Sequence, residues 1–437
     1  MTARRHDGTT ACVAKITALL ALLASGLEAQ AVAITGATVV SVTREPIPDG
    51  VVIMENGKIA AVGPAAVIQI PDGATVVKVP GQFVYPGFIN SWTSIGLYEI
   101  GSVAGSVDLT ELGDWNPHMQ AVVAVNAHSE MIPITRVNGV LTAASVPRGG
   151  LVSGTAALIA LDGWTPYELA IDPRAAVVVN IPTAEADGGR FGFRFFRQQQ
   201  GGENREQRVE RQRREIWEYF ATAKSYAERR GRGADIPFDP EMEAMVAVVN
   251  GERLTIVTAD REDQILKALE LADDYSLKLA IYGGDDAWKL ADTLAGRSVP
   301  VILGSILSNP RTDMPYDAIF ANPGVLARAG VKIAFSTGDA ANARNLAYHA
   351  AMATAFGLDP DDALKALTLW PAQIWGVEDR LGSLERGKDA TLFVATGDPL
   401  DVRTTVSHIW IRGRAVSLDN RHTRLYEKFR ARPRVTQ

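Results

Sequence analysis

The stretch LTIVTADREDQILKALELADDYSLKLAIYGGDDAW (254–288) reads as a strand, a helix and a second strand. Leu254 to Val257 and Leu279 to Tyr282 are short runs that are apolar on both faces. Strands of a parallel sheet covered by helices read this way, because water reaches neither side. Between them, Asp263 to Asp273 carries Ile265, Leu266, Leu269 and Leu271 at helical spacing. Val299 to Leu303 and Val331 to Phe335 repeat the strand pattern. Strand–helix alternation of this kind predicts an α/β barrel. The last helix is marked at its start: Asp359 caps it, Pro360 fits its first turn, and Ala363, Leu364 and Leu367 share a face. Pro371 is expected to stop or kink it.

Outward from this core the pattern changes to β on both sides. Val51 to Glu55 and Lys58 to Val62 flank Asn56-Gly57, whose tolerance of positive φ suits a two-residue hairpin. Pro80-Gly81 and Pro86-Gly87 punctuate the chain, with a short strand from Gln82 to Tyr85 and a new one from Phe88 to Ser91. After Val377, Ala390 to Val394 and His408 to Ile411 are strand-like, and Gly413 suits a turn before Ala415 to Leu418. We therefore expect a barrel over about 86–375 and a small β-sandwich domain built from both ends, 30–85 and 376–437.

One segment interrupts the barrel. Gly188 to Gly202 is rich in Gly, Arg, Phe and Gln, and a charged helix from about Arg205 to Arg230 follows, with Ile216, Phe220, Ala223 and Tyr226 on one side. Arg208, Arg211, Arg213 and Arg214 alternate with Glu206, Glu210 and Glu215, which reads as a solvated face or as an anion site. An insertion over about 188–236 is expected to act as a lid on the barrel mouth.

The 437 residues carry a formal net charge of −6, so nothing draws the whole surface to nucleic acid or anionic lipid, although local basic patches are compatible with that total. Arg4, Arg5 and Lys15 precede the apolar run Ile16 to Ala24, and small residues follow at Ser25, Gly26 and Ala29. This is the order of a secretory signal over 1–29, too short to span a bilayer. Its removal would take away three basic and two acidic residues, for a net charge of −7, together with Cys12, the one cysteine. The expectation is an exported, periplasmic or secreted protein without disulfides or thiolate chemistry.

VYPGFINSWTSIGL (84–97) resembles the first barrel strand of the metal-dependent amidohydrolases, in which Pro-Gly precedes an Asp-x-His-x-His motif. AITGATVV (33–40) and VVIMENGKIAAVG (51–63) are similar to that superfamily's amino-terminal β-domain. AFSTGDAANARNLAYHAAMATAFGLDPDDALKAL (334–367) and GKDATLFV (387–394) resemble its final strand, last helices and return, with Thr391 where Asp is usual. The resemblance is to the imidazolonepropionase-like, exported dipeptidase-like branch. It implies a TIM-type (β/α)8 barrel of the metal-dependent hydrolase kind, hydrolysing a non-peptide carbon–nitrogen bond.

That chemistry uses one or two divalent cations, typically zinc, at the carboxyl ends of the strands. The resemblance implies ligands from two histidines on the first strand, Lys or Glu on the fourth, histidines on the fifth and sixth, and Asp on the eighth. This chain has Trp92 and Ser94 at the first pair, Asn90 before them, Thr258 at the fifth-strand position and Tyr282 at the sixth. Asp339 matches the last Asp; Asp260 lies two residues beyond Thr258, and AAVVVNIPTA (175–184) offers Asn180 for the fourth strand. An indole has no lone pair for zinc. Of the six histidines, His118, His128, His349, His408, His422 and His6, none has tight ligand spacing to another. The expected cofactor is therefore none.

Asp339 reads either as a general acid/base at the mouth or as a carboxylate that now holds Ser336, Thr337 or a loop amide. In VPRGGLVSGTAAL (146–158), Arg148 or Ser153 would meet a substrate carboxylate or amide, or the glycines serve a strand-to-helix loop. Ser94, Thr258, Asp260 and Tyr282 are expected to face the mouth as a hydroxyl-rich, metal-free pocket. Two functions follow. The first is a hydrolase of a cyclic amide or small peptide-like substrate, metal-free or weak. The second is a catalytically inactive binding or assembly subunit. The partners expected are a small molecule and either a second copy of the chain or an active relative, with no nucleic acid and no membrane span.

Overall fold

The computed structural model describes residues 31–184 and 204–432. The segment read as a secretory signal and the Gly188–Gly202 stretch lie outside the described residues. Two eight-stranded sheets organise the rest.

The first sheet begins with β1 (Val32–Val39), β2 (Ile47–Glu55), β3 (Lys58–Pro64), β4 (Thr75–Lys78) and β5 (Phe83–Pro86). Asn56 at φ 50° and Gly57 at φ 79° make the β2–β3 turn, so both central residues are left-handed as the Asn-Gly pair predicts. The same sheet is completed by β14 (Leu392–Ala395), β15 (Val406–Ile411) and β16 (Arg414–Ala415), with β14 antiparallel to β5. Ile34, Val52, Ile59, Val84, Leu392, Val394 and Trp410 share one apolar cluster, so neither end of the chain buries its strands alone. Asp389, almost fully buried, receives Lys58 at 2.6 Å and Arg380 at 3.0 Å and ties the two halves together.

The second sheet is the barrel: β6 (Phe88–Thr93), β7 (Val140–Ser145), β8 (Val152–Ala160), β9 (Ala170–Asn180), β10 (Leu254–Ala259), β11 (Lys278–Gly283), β12 (Val301–Leu303) and β13 (Ile333–Ala334). It is near-closed: the Ser91 amide donates to the Phe335 carbonyl at 3.3 Å and the Gly338 amide to the Trp92 carbonyl at 3.1 Å. Inside lie Ile89, Trp92, Val146, Leu158, Val178, Ile256, Ala280 and Ile302, and the other strand faces pack outward on helices. Ile374, Trp375 and Leu381 join this inner cluster with Leu254, at the amino-terminal start of β10. The opposite, carboxyl end of the strands stays open as the mouth.

The barrel differs from eight parallel strands in one place. β8 runs antiparallel to both β7 and β9, while the other barrel pairs are parallel. Residues 146–151 therefore join strand to strand, and the expected strand-to-helix loop is corrected. All nine residues of β8 are buried, which a helix packed on one side would not achieve. Asp359 caps the helix Pro360–Leu367 through the Asp361 and Asp362 amides, as expected. Pro371 neither stops nor kinks it: the break falls at Thr368, and Pro371 sits in the first turn of the next helix, Leu369–Ile374, where its missing N–H costs nothing.

The helix Arg205–Gly231 is opened by an Asn204–Gln207 capping box. Val209, Ile216, Phe220, Ala223 and Ala227 are buried along one side, against the helices Pro240–Val249 and Glu262–Tyr275. Arg213 reaches Asp263 at 2.6 Å, the Trp217 indole donates to Asp274 at 2.7 Å, and Tyr219 stacks on Trp115 at 4.2 Å. The body of this helix thus packs on the barrel wall, because its apolar residues recur every three to four positions and need a fixed partner surface, while Arg205, Arg208, Val209 and Gln212 at its start border a cavity with Asn180, Thr258 and Asp260. Among the described residues no helix is long and apolar enough to cross a membrane.

Candidate functional site at the barrel mouth

A cavity of about 430 Å³ opens at the carboxyl ends of the strands. Arg148, Thr258, Asp260, Tyr282 and Asp339 line it, with Trp92 and Asn180. Five of the seven residues expected at the site are thereby brought together. Ser94 and Ser153 are not among its lining.

Strand register sets the first layer. Asn180 on β9 pairs with Thr258 on β10, which pairs with Tyr282 on β11, so the three stand at one level. The Thr258 hydroxyl donates to Asn180 Oδ1 at 2.7 Å, and Asn180 Nδ2 donates to Ser153 Oγ at 2.8 Å and the Gly150 carbonyl at 2.9 Å. Asn180 thus holds the loop that carries Arg148. Asp260 lies against Gly283 at φ 100°, where a Cβ would stand 2.1 Å from its carboxylate oxygen, so a glycine is required.

Across the floor, Trp92 and Tyr282 stack with ring centroids 3.6 Å apart and planes 6° apart. Trp92 is 3% exposed. The Tyr282 hydroxyl is 3.6 Å from the place a Cβ on Gly338 would take. Arg148 donates through Nη2 to the carbonyl of the same Gly338 and makes no ion pair among the described residues. A guanidinium and a phenol therefore converge beside one glycine, the arrangement that meets a carboxylate or an amide oxygen.

Asp339 accepts from the Asn342 amide at 2.7 Å and from Asn342 Nδ2 at 3.0 Å, so both carboxylate oxygens serve the loop. Of the two expectations for Asp339, the loop-amide one describes its contacts, with Asn342 rather than the Ser336 or Thr337 side chains as partner. Ser94 is corrected: it is buried, and its Oγ accepts from the Ala340 amide at 3.0 Å instead of facing the mouth. Asn90 Nδ2 donates to Thr337 Oγ1 at 2.8 Å. Positions 90 and 94 thus brace the 336–342 loop. Ser153 is also corrected: it is buried behind the wall as Asn180's acceptor.

A rim network had no counterpart in the sequence reading. Arg311 contacts Asp286 at 2.9 Å, Asp313 at 3.1 Å and Asp285 at 3.7 Å, and Arg261 contacts Asp313 at 3.0 Å. Burial pulls the Arg311 guanidinium down, but hydrogen bonds to Asp313 and Asp286 outweigh it and leave it above its ordinary value. The hydrogen bond from Arg311 holds Asp313 below the usual carboxylate range. The network joins the loops after β10, β11 and β12. Asp285-Asp286 and Arg311 are separated by a full strand, so no local pattern pairs them.

Among the described residues no group of three or more His, Cys, Asp or Glu side chains is placed to hold a metal ion. His118, His128, His349, His408 and His422 are absent from the cavity lining.

Residues 316–416 match the model of the amidohydrolase family. Over 74 residues, 17% of this chain, the sequence is 36% identical to amidohydrolase tasK of Hapsidospora irregularis, and the match spans 8% of that protein's length. The structure is similar to that of an amidohydrolase from Thermotoga maritima MSB8, with TM-score 0.77 and 29% identity over 88% of this chain and 99% of that one. It also shares its fold with a prolidase complexed with N-methylphosphonate-L-proline, at TM-score 0.54 and 16% identity over 89% of this chain and 99% of that one. Phenylurea hydrolase B is a comparable fold neighbour, at TM-score 0.53 and 18% identity over 89% and 97% of the two chains.

Proposed function

Because the chain belongs to the amidohydrolase superfamily, we propose that its barrel mouth is a metal-free pocket for a small amide, cyclic or peptide-like, whose non-peptide carbon–nitrogen bond it hydrolyses weakly. The observation that carries this reading is the Trp92–Tyr282 stack. The resemblance assigns both positions to zinc-binding histidines. Here an indole without a lone pair lies flat on a phenol ring, and the space between the two former ligand positions holds ring carbons. The donors left at the mouth are the carboxylates of Asp260 and Asp339, and a zinc site needs about three strong ligands. The residues present do not fit the metal pair.

Without that pair, the groups at hand are those that bind and orient. Arg148 and the Tyr282 hydroxyl receive the ligand's carboxylate or amide oxygen beside Gly338, and the stacked rings give a flat apolar floor. Asp260 is the carboxylate that takes a proton from the water attacking the amide carbon and passes it to the leaving nitrogen, with Thr258 and Asn180 fixing the wall beneath it.

A second reading, a catalytically inactive binding or assembly subunit, is favoured by one observation. Asp339 spends both oxygens on Asn342, and a carboxylate so engaged is a poor general base. Metal analysis of the purified chain, with assays on dipeptides and cyclic amides with and without chelator, tests both. Hydrolysis that survives chelation, with less than one zinc per chain, supports the first reading. Saturable ligand binding with no turnover supports the second. Two zinc ions per chain and turnover abolished by chelator would overturn both.

A further inference from the structure

The helix Arg421–Arg430 buries none of its residues, and Tyr426 and Phe429 are 62% and 61% exposed. Its start is fixed to the body. Asn420, itself buried, caps the His422 and Thr423 amides, and the Arg344 guanidinium meets His422 Nδ1 at 3.2 Å. Arg424 reaches Asp419 at 2.9 Å and Glu130 at 3.6 Å. Among the described residues the anchoring contacts thus fall in the first turn.

At about 100° per residue, Leu425, Phe429 and Tyr426 fall on one stripe of this helix, whose first turn is occupied by His422 against Arg344. Arg421 and Lys428 border the stripe on one side and Arg430 on the other, while Glu427 lies opposite. Lys428 lies 5.8 Å from the Phe429 ring and Arg430 5.7 Å from the Tyr426 ring, so the cations rim the aromatic rings. Residues 421–432 hold five basic side chains against Glu427, a net +4 in a chain of −6, which leaves −10 on the remainder.

We propose that this helix is a docking surface for an anionic lipid bilayer. The stripe is convex and only about 15 Å long, so it fits a fluid plane, with the rings entering the acyl boundary and the cations at headgroup level. The concentration of positive charge in one exposed element of an otherwise acidic chain makes the attraction local and orients the body above the surface. A second copy paired about a two-fold axis would set one +4 helix against another, which charge opposes.

Flotation of the full chain with vesicles of phosphatidylcholine alone, or with about one-third phosphatidylglycerol, tests the surface. On the order of tenfold greater binding to the anionic vesicles is expected, lost at about 0.5 M salt, where screening shortens to a few ångströms. Tyr426→Ala/Phe429→Ala and, separately, Lys428→Glu/Arg430→Glu should each reduce binding about tenfold. All four side chains are exposed, so circular dichroism and melting temperature should stay unchanged. Equal or no binding to the two vesicle types would overturn the proposal, as would unaltered binding by folded variants. So would a dimer that Tyr426→Ala/Phe429→Ala dissolves, which would place a second copy on this face.

Discussion

Trp92, near the end of β6, and Tyr282, at the end of β11, lie face to face with centroids 3.6 Å apart, although 190 residues separate them in the chain. The pair fills the floor of the mouth. Trp92→Ala opens a cavity there and should lower stability by about 3–5 kcal/mol in urea unfolding. Trp92→His/Ser94→His should still bind less than one zinc per chain, because Thr258 and Tyr282 remain at the other positions. Stoichiometric zinc in that variant, by elemental analysis, would contradict the metal-free reading.

Arg148 should decide which ligands are held. Arg148→Ala is expected to weaken a carboxylate-bearing ligand on the order of 10- to 100-fold by calorimetry, and to leave its neutral amide counterpart within a few-fold. A uniform loss across both would assign Arg148 to bracing the 338 loop alone.

Removing Arg311 takes the guanidinium from Asp285 and Asp286, while Lys289 stays 3.3 Å from Asp286. Arg311→Ala should cost about 1–3 kcal/mol of stability. It should also increase hydrogen exchange in the loops after β11 and β12. A change below about 1 kcal/mol would show that water replaces the guanidinium at no cost.

Asp401 is held at about 2 by the side-chain hydrogen bonds from Arg403 and by its backbone amide. A carboxylate whose pKa is depressed on folding contributes stability that is full above its ordinary value of about 3.9. That contribution is lost as pH falls through about 2. Carboxyl-carbon NMR should find its midpoint there, and Arg403→Ala should return it toward the ordinary range. A midpoint near 4 in the unaltered chain would refute the contact in solution.

We propose export with cleavage near Ala29, from the charge order and short apolar run at the amino end. Mass spectrometry of the extracytoplasmic fraction should give a mature start close to that residue. An intact amino terminus recovered from the cytoplasm would sink the proposal.

What the sequence determined by itself was local. The apolar runs of β10 and β11, the left-handed Asn56-Gly57 turn and the Asp359-Pro360 helix start each follow from contacts within a few residues. The barrel and the sheet shared by both ends were legible because two-sided burial and strand–helix alternation leave few ways to hide apolar surface. The residues themselves, Trp92, Ser94, Thr258 and Tyr282, were legible too, at the positions that the resemblance gives to histidines. Tertiary structure alone decided the reversed direction of β8, the docking of the helix Arg205–Gly231 on the barrel wall, and the pairing of Arg311 with Asp285 and Asp286. It also turned Ser94 away from the mouth toward the Ala340 amide, gave Asp339 to Asn342, and laid Trp92 on Tyr282. Closing a barrel brings residues from distant strands to one level, and the identity of a side chain does not state which neighbour from another strand will reach it first.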